Sequence, residues 1–206
     1  MTRVDLVIFD GVDDLDVVAP FEVLNMAKRL GANIEVRVVA LDRHATVITQ
    51  GGLSLGATAE WAPGDAEVIL VPGGGYGAAG SGAGVRAELI SDRLPAAFRD
   101  AVRPGLVFAS VCTGAMLLGA AGLLRGRPCT THHRAVADLE SVGGRHVEAR
   151  VVDDGDLVTA GGVTSGLDLG LRLVERYANA ATASTVERAL EYERRGTVWH
   201  DSKENQ

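Results

Sequence analysis

Cysteine is scarce in this chain: two of 206 residues, Cys112 and Cys129. They form no CxxC pair and no zinc-ligand spacing, so the sequence offers no thiolate metal centre. A bridge between them is open on sequence alone, but the start of the chain carries no export signal and reducing compartments disfavour such bonds. The only early apolar run, Val4 to Phe9, is short and interrupted by Asp5, unlike a secretory leader. No run approaches the ~18 apolar residues of a spanning helix. These absences predict a soluble, cytoplasmic protein with no membrane partner. Positive charge is also short, with 20 Lys and Arg against 27 Asp and Glu, a net charge of −7. Phosphate neutralisation needs clustered cations, so a nucleic-acid partner is excluded. Aromatics are only 4% of the chain, which leaves Val, Leu and Ala to fill the core.

What is present is ordered. The length suits a single domain, residues 1–206, with a proper core. Four short runs read as buried parallel strands: Val4 to Phe9, Ile34 to Ala40, Ala66 to Val71 and Leu106 to Val111. Between the first two, Val17, Phe21 and Leu24 recur at helical spacing, with Pro20 placed in the first turn. Ser91 to Val102 reads as one helix with Leu94, Phe98 and Val102 on a stripe. Alternation of strand and helix predicts an α/β three-layer sandwich around a mostly parallel, flavodoxin-like sheet. Further on, Pro128 to Thr131 reads as a strand and Arg134 to Val142 as a helix. His146 to Val152 and Leu157 to Ala160 read as a hairpin around Asp153-Asp154-Gly155-Asp156. Ser165 and Asp168 have capping-box spacing at a helix start, with Leu167, Leu171 and Val174 on its apolar stripe. A last helix is expected over Asn179 to Glu193, before a polar, frayed tail at His200 to Gln206.

The densest signal is Phe108-Ala109-Ser110-Val111-Cys112-Thr113-Gly114-Ala115-Met116. An apolar strand ends at a cysteine and a helix of small residues begins at once. Such a turn is a cysteine nucleophile elbow: it lifts the sulfur above the sheet and sets it at a helix N-terminus, where a thiolate is stabilised. Gly114 relieves crowding in the turn. A buried core cysteine is the competing reading, since free cysteine is commonly buried.

Two loops are expected to border the same crevice. After the third strand, Gly73 and Gly74 would point backbone N–H groups into a cavity and form an anion site beside Cys112. The literal GxGxxG at Gly75, Gly77 and Gly80 is not followed at once by an amphipathic helix, so no dinucleotide is expected. After the first strand, Asp16 sits between apolar residues and is the carboxylate expected inside, with a raised pKa. Asp13 and Asp14 read as a cap or a solvated turn. Of the five histidines, His44, His132, His133, His146 and His200, neighbouring His132 and His133 cannot both face one point from regular structure, and no metal is expected. His132 could return to the sheet edge beside Cys112. The Asp153 to Asp156 cluster lacks the later ligands of a calcium loop.

Together these segments resemble the ThiJ/PfpI superfamily, which has the class I glutamine amidotransferase-like fold, and within it the isonitrile hydratase branch. The matching stretches are Leu15 to Leu24, Val71 to Gly74, Ser110 to Gly114, Leu118 to Leu124, Thr130 to His132 and Gly161 to Asp168. The resemblance implies Cys112 as nucleophile, Asp16 as its acidic partner, Thr113 as a hydroxyl contact to the sulfur, and Gly73 and Gly74 as loop glycines. It implies cofactor-free hydration of an isonitrile, a small-molecule substrate, to an N-substituted formamide through a thioimidate, in a homodimer. This chain departs from the branch at Val17-Val18-Ala19, before Pro20, and at His133, where a tryptophan is common. Ser110 and the lack of a histidine after Cys112 separate it from the amidotransferases and PfpI-type peptidases. Rival implications are a glyoxalase or deglycase acting on 2-oxoaldehydes through Cys112, and a cysteine redox sensor. A ligand-binding domain of an AraC-like regulator is disfavoured, because no helix-turn-helix segment follows.

Overall fold

A computed structural model describes residues 1–42, 45–77 and 82–200. Strand β1 (Thr2–Val7) leads into helix α1 (Asp14–Arg29) and β2 (Ile34–Ala40). β3 (Thr46–Ile48) and β4 (Ser54–Gly56) make a separate antiparallel hairpin, followed by β5 (Ala59–Glu60) and β6 (Val68–Val71). Helices α2 (Val85–Ser91) and α3 (Arg93–Ala101) precede β7 (Val107–Val111) and α4 (Gly114–Ala120). β8 (Pro128–Cys129), α5 (Val136–Ser141) and β9 (Arg145–His146) form a small side layer. β10 (Val151–Asp153), β11 (Leu157–Ala160), α6 (Ser165–Tyr177), α7 (Ala180–Ala189) and β12 (Trp199–His200) complete the chain.

The central sheet runs β12-β10-β11-β7-β6-β1-β2-β5. Each neighbouring pair is parallel except β10 and β11. α1, α6 and α7 pack together on one side, and α2 to α5 on the other. The protein is therefore α/β, with helices on both sides of a mostly parallel sheet. Burial on both faces explains why β6 is apolar throughout and why β7 is apolar except at the buried Ser110. Among the described residues no helix is long and apolar enough to cross a membrane. The exits of β1, β6 and β7 lie on one sheet edge, which collects the loops carrying Asp16, Gly73 and Cys112.

Several local expectations are corrected. Pro20 lies inside α1, because the Asp13 side chain accepts from Leu15 N and Asp16 N and starts the helix earlier. Pro20 cannot donate to the Asp16 carbonyl; its ring instead abuts Gly166 of α6. The helix expected over Ser91 to Val102 breaks at Asp92, whose φ is +55°. Pro95 supplies the reason: it cannot donate to the Ser91 carbonyl, but in the first turn of α3 no donor is needed. Leu94 and Phe98 are buried as expected, while Val102 is exposed.

Ser165 and Asp168 form no capping box. The cap position is Thr164, without a side-chain bond. Asp168 is buried and receives Arg150 Nε at 2.8 Å, Tyr192 Oη at 3.1 Å and Arg195 N at 3.0 Å. The hairpin keeps Val151 to Asp153 opposite Leu157 to Ala160, but His146 pairs instead beside Cys129 in the side layer. Asp153 belongs to a strand, where Arg172 and Arg176 bind its carboxylate. The segment from Arg134 opens as a 3-10 turn before α5, the expected strand at Pro128 stops at Cys129, and the last helix ends at Ala189. Gly80, His44 and the tail from Asp201 lie outside the described residues.

The α1–α6 contact is close enough to test. A Cβ on Gly170 would lie 2.8 Å from Val23 Cβ and 2.9 Å from its Cγ1, and Val23 is fully buried. Gly170→Ala gains about 1 kcal/mol of helix propensity, yet overpacking costs about 1–3 kcal/mol. Urea unfolding should show a lower midpoint with an unchanged slope; a higher midpoint would mean that the helices separate without cost.

Candidate active site

Cys112 stands between β7 and α4 with φ +57°, a left-handed conformation rare for a side-chain-bearing residue. The strain is held from several sides. Its N–H is shared between the carbonyls of Ala160 at 3.1 Å and Gly161 at 2.8 Å. Its carbonyl accepts the Thr131 hydroxyl at 2.8 Å. Gly114 follows because a Cβ there would lie 2.1 Å from the Val71 carbonyl oxygen. The strand-to-helix turn holds Cys112 in this conformation, and the residue is buried, 7% exposed, instead of standing clear above the sheet.

Asp16 reaches the same point from the first turn of α1. It is fully buried, and its Oδ2 accepts the Gly73 N–H at 3.0 Å. Its Oδ1 has no hydrogen-bond partner, and the carboxyl interacts with the Cys112 side chain. Burial first, and then the nearby Asp13 charge, push the Asp16 pKa up to about 7. Asp13 is itself occupied as the cap of α1, while Asp14 bonds the Thr49 hydroxyl and Gly51 N and so fastens the β3–β4 hairpin.

The sulfur does not behave as a simple helix-end thiolate. Burial, followed by the Asp16 charge, pushes the Cys112 thiol up to about 12. The N–H groups of Val163 and Thr113 pull the other way without prevailing. One proton is thus held between carboxyl and sulfur near neutrality: the first leaves the pair near pH 7 and the second only in strong alkali.

The glycine loop also has a different task from the expected one. The Gly73 N–H is engaged by Asp16 and the Gly74 N–H by Thr113 Oγ1 at 3.2 Å. These donors position the carboxyl and the hydroxyl, and neither is left free for an anion. A Cβ on Gly73 would lie 2.5 Å from Thr113 Oγ1 and 3.0 Å from Asp16 Oδ2, so the contact requires glycine. Cys112, Asp16, Thr113, Gly73 and Gly74 therefore converge.

His132 lies one loop away. It caps the 3-10 turn, with Nδ1 accepting from Arg134 N at 3.2 Å, and no hydrogen bond joins it to Cys112. Its ring lies 4.2 Å from that of His133; both line one cavity because the pair sits at a turn and not in regular structure. Burial, followed by the neighbouring His133 and Arg134 charges, lowers the His132 pKa. Val163 and Thr131 are contributors to the Cys112 environment that sequence reading missed. Val163 reaches the sulfur through φ +40°, which no residue-type signal announces. Cys112 and Cys129 are both free and buried.

A carboxyl with a raised pKa in the folded state opposes folding once it ionises. Its cost is absent below the ordinary carboxyl value of 3.8, grows as pH rises from there, and is complete above about 7. Asp16→Asn keeps an acceptor for Gly73 and should be more stable than wild type by about 3–5 kcal/mol at pH 8, with a clearly smaller advantage at pH 5. Thermal melts at the two pH values check this; equal stabilities at pH 8 would place Asp16 in a solvated environment.

Comparison with known proteins establishes the family. The model of the DJ-1/PfpI family matches residues 2–176. Isonitrile hydratase from Pseudomonas putida is 35% identical over 92% of this chain and 78% of its own. The glutathione-independent glyoxalase DJ-1 of Schizosaccharomyces pombe is 22% identical over 92% of this chain and 98% of its own. The crystal structure of a ThiJ/PfpI family protein from Pseudomonas syringae superposes with a TM-score of 0.82 at 28% identity. It spans 95% of this chain and 76% of that one. The chain belongs to the DJ-1/PfpI family.

Proposed function

We propose that the protein hydrates an isonitrile to an N-substituted formamide, with Cys112 as nucleophile, Asp16 as acid and base, and no cofactor. The observation that carries the reading is the buried Asp16 carboxyl, held by the Gly73 N–H and interacting with the Cys112 side chain. Similarity to a hydratase along most of the chain supports the choice of substrate. The reading includes a single-domain, cytoplasmic homodimer.

The pair holds one proton, and the chemistry uses one. The sulfur adds to the terminal isonitrile carbon, forming the S–C bond, and the shared proton goes to that carbon. The product is a thioimidate, with Asp16 left as carboxylate. Asp16 then takes a proton from water as the water attacks the same carbon. The imine nitrogen gains a proton, the C–S bond breaks, and formamide leaves; the remaining proton returns to the pair. Thr113 Oγ1, fixed by the Gly74 N–H, and the Val163 N–H hold the sulfur environment steady through the cycle. A high thiol pKa suits this reaction, since the proton must stay near until carbon accepts it. It also opposes the redox-sensor reading, because peroxide attacks exposed, low-pKa thiolates.

The test follows formamide production from an aryl isonitrile across pH. Wild type should turn over, and Cys112→Ala should lose at least about a thousandfold in kcat/KM. The active form carries one proton, so kcat/KM should rise as the pair loses its first proton near pH 7 and then stay level. Asp16→Asn should abolish that inflection along with most activity. Consumption of methylglyoxal by folded wild type, with isonitriles untouched, would replace the reading with the glyoxalase one.

A further inference from the structure

An open cavity of about 530 Å³ begins at the residues that hold Cys112. Three of its lining residues bond Cys112 directly: Gly161 through its carbonyl, Thr131 through its hydroxyl and Val163 through its N–H. Beyond them His132, His133, His146 and Glu148 share the wall with Val136 and Ala149.

Those polar groups are not used up by the fold. The His132 Nδ1 accepts from Arg134 N, which leaves the hydrogen on Nε2 as a donor. Among the described residues the side chains of His133, His146 and Glu148 take no hydrogen bond or ion pair. Arg150, also in the wall, is occupied by Asp168 and Thr164.

A hydrocarbon group entering this cavity would strip water from several donors and acceptors and give nothing back. A group with its own oxygen atoms would replace that water. We infer that this cavity receives the N-substituent of the substrate, and that the enzyme selects isonitriles whose substituent carries hydrogen-bonding oxygens over hydrocarbon ones. The inference rests on the hydratase reading for its reaction, but the unpaired polar groups in the cavity wall are independent of it. His146, from β9 in the side layer, is a specificity-determining residue in this scheme.

Methyl isocyanoacetate and n-pentyl isonitrile are matched in size and differ in two oxygens, which makes them suitable probes. Wild type should favour the ester by about tenfold or more in kcat/KM. Because the two differ in intrinsic reactivity, the decisive quantity is the change in that ratio on His146→Leu. The ratio should fall at least about threefold, with a thermal midpoint near that of wild type. His133→Leu, which removes another ring that can donate into the same cavity, provides the same comparison if His146→Leu does not fold. A ratio unmoved by a folded variant, or a preference for the hydrocarbon, would overturn the assignment. If neither isonitrile is hydrated, the hydratase reading fails, and the cavity is judged by binding of the two formamides. Calorimetry should then show methyl N-formylglycinate bound more tightly than N-pentylformamide; no difference, absence of binding included, overturns the inference.

Discussion

The site depends on how closely the chain leaving β6 passes the chain leaving β7. Gly73 presses its backbone against Thr113 and Asp16, and Gly114 presses against the carbonyl of Val71. Neither contact survives a Cβ. Parallel strands bring the two exits to one edge, and the missing side chains let them meet. Only then can a carboxyl from α1 reach the sulfur at the head of α4. Strain at Cys112, with φ +57°, is what such a meeting costs, and the bonds from Ala160, Gly161 and Thr131 hold it in place.

The electrostatics follow from the same crowding. Water is excluded, so an ionised carboxyl and a thiolate are both disfavoured. The helix end and two N–H groups do not offset that burial. The result is a pair that holds one proton tightly, at the expense of stability near neutrality. A group that opposes folding and yet is positioned by a dedicated N–H donor is better explained by chemistry than by packing. The histidine-lined cavity beyond Val163 extends the same economy outward: its donors remain available because the fold uses others.

Much of this was legible in the sequence, for identifiable reasons. β2 shows its full extent because an apolar run bounded by turn residues marks a buried strand. The elbow shows because a strand and a helix meet with nothing between them but Cys112 and Thr113. Asp16 stands out as the acidic residue flanked by apolar neighbours. Where partners distant in sequence decide the outcome, the reading fails. Asp168 has a cap-like spacing but is claimed by Arg150, Tyr192 and Arg195. Pro20 suggests a helix start, yet Asp13 supplies an earlier one. The N–H groups of Gly73 and Gly74 look free until the structure brings Asp16 and Thr113 to them. The role of Val163 is a backbone dihedral and has no sequence signature.

The central claim is a covalent intermediate on Cys112 and not on Cys129. Mass spectrometry of the intact protein, acid-quenched during turnover of an aryl isonitrile and then digested, tests it directly. The account predicts a species heavier by one isonitrile, with the added mass on the peptide holding Cys112 and absent from Cys112→Ser. Formamide production with no adduct on that peptide under rapid quench, or an adduct confined to Cys129, would contradict it.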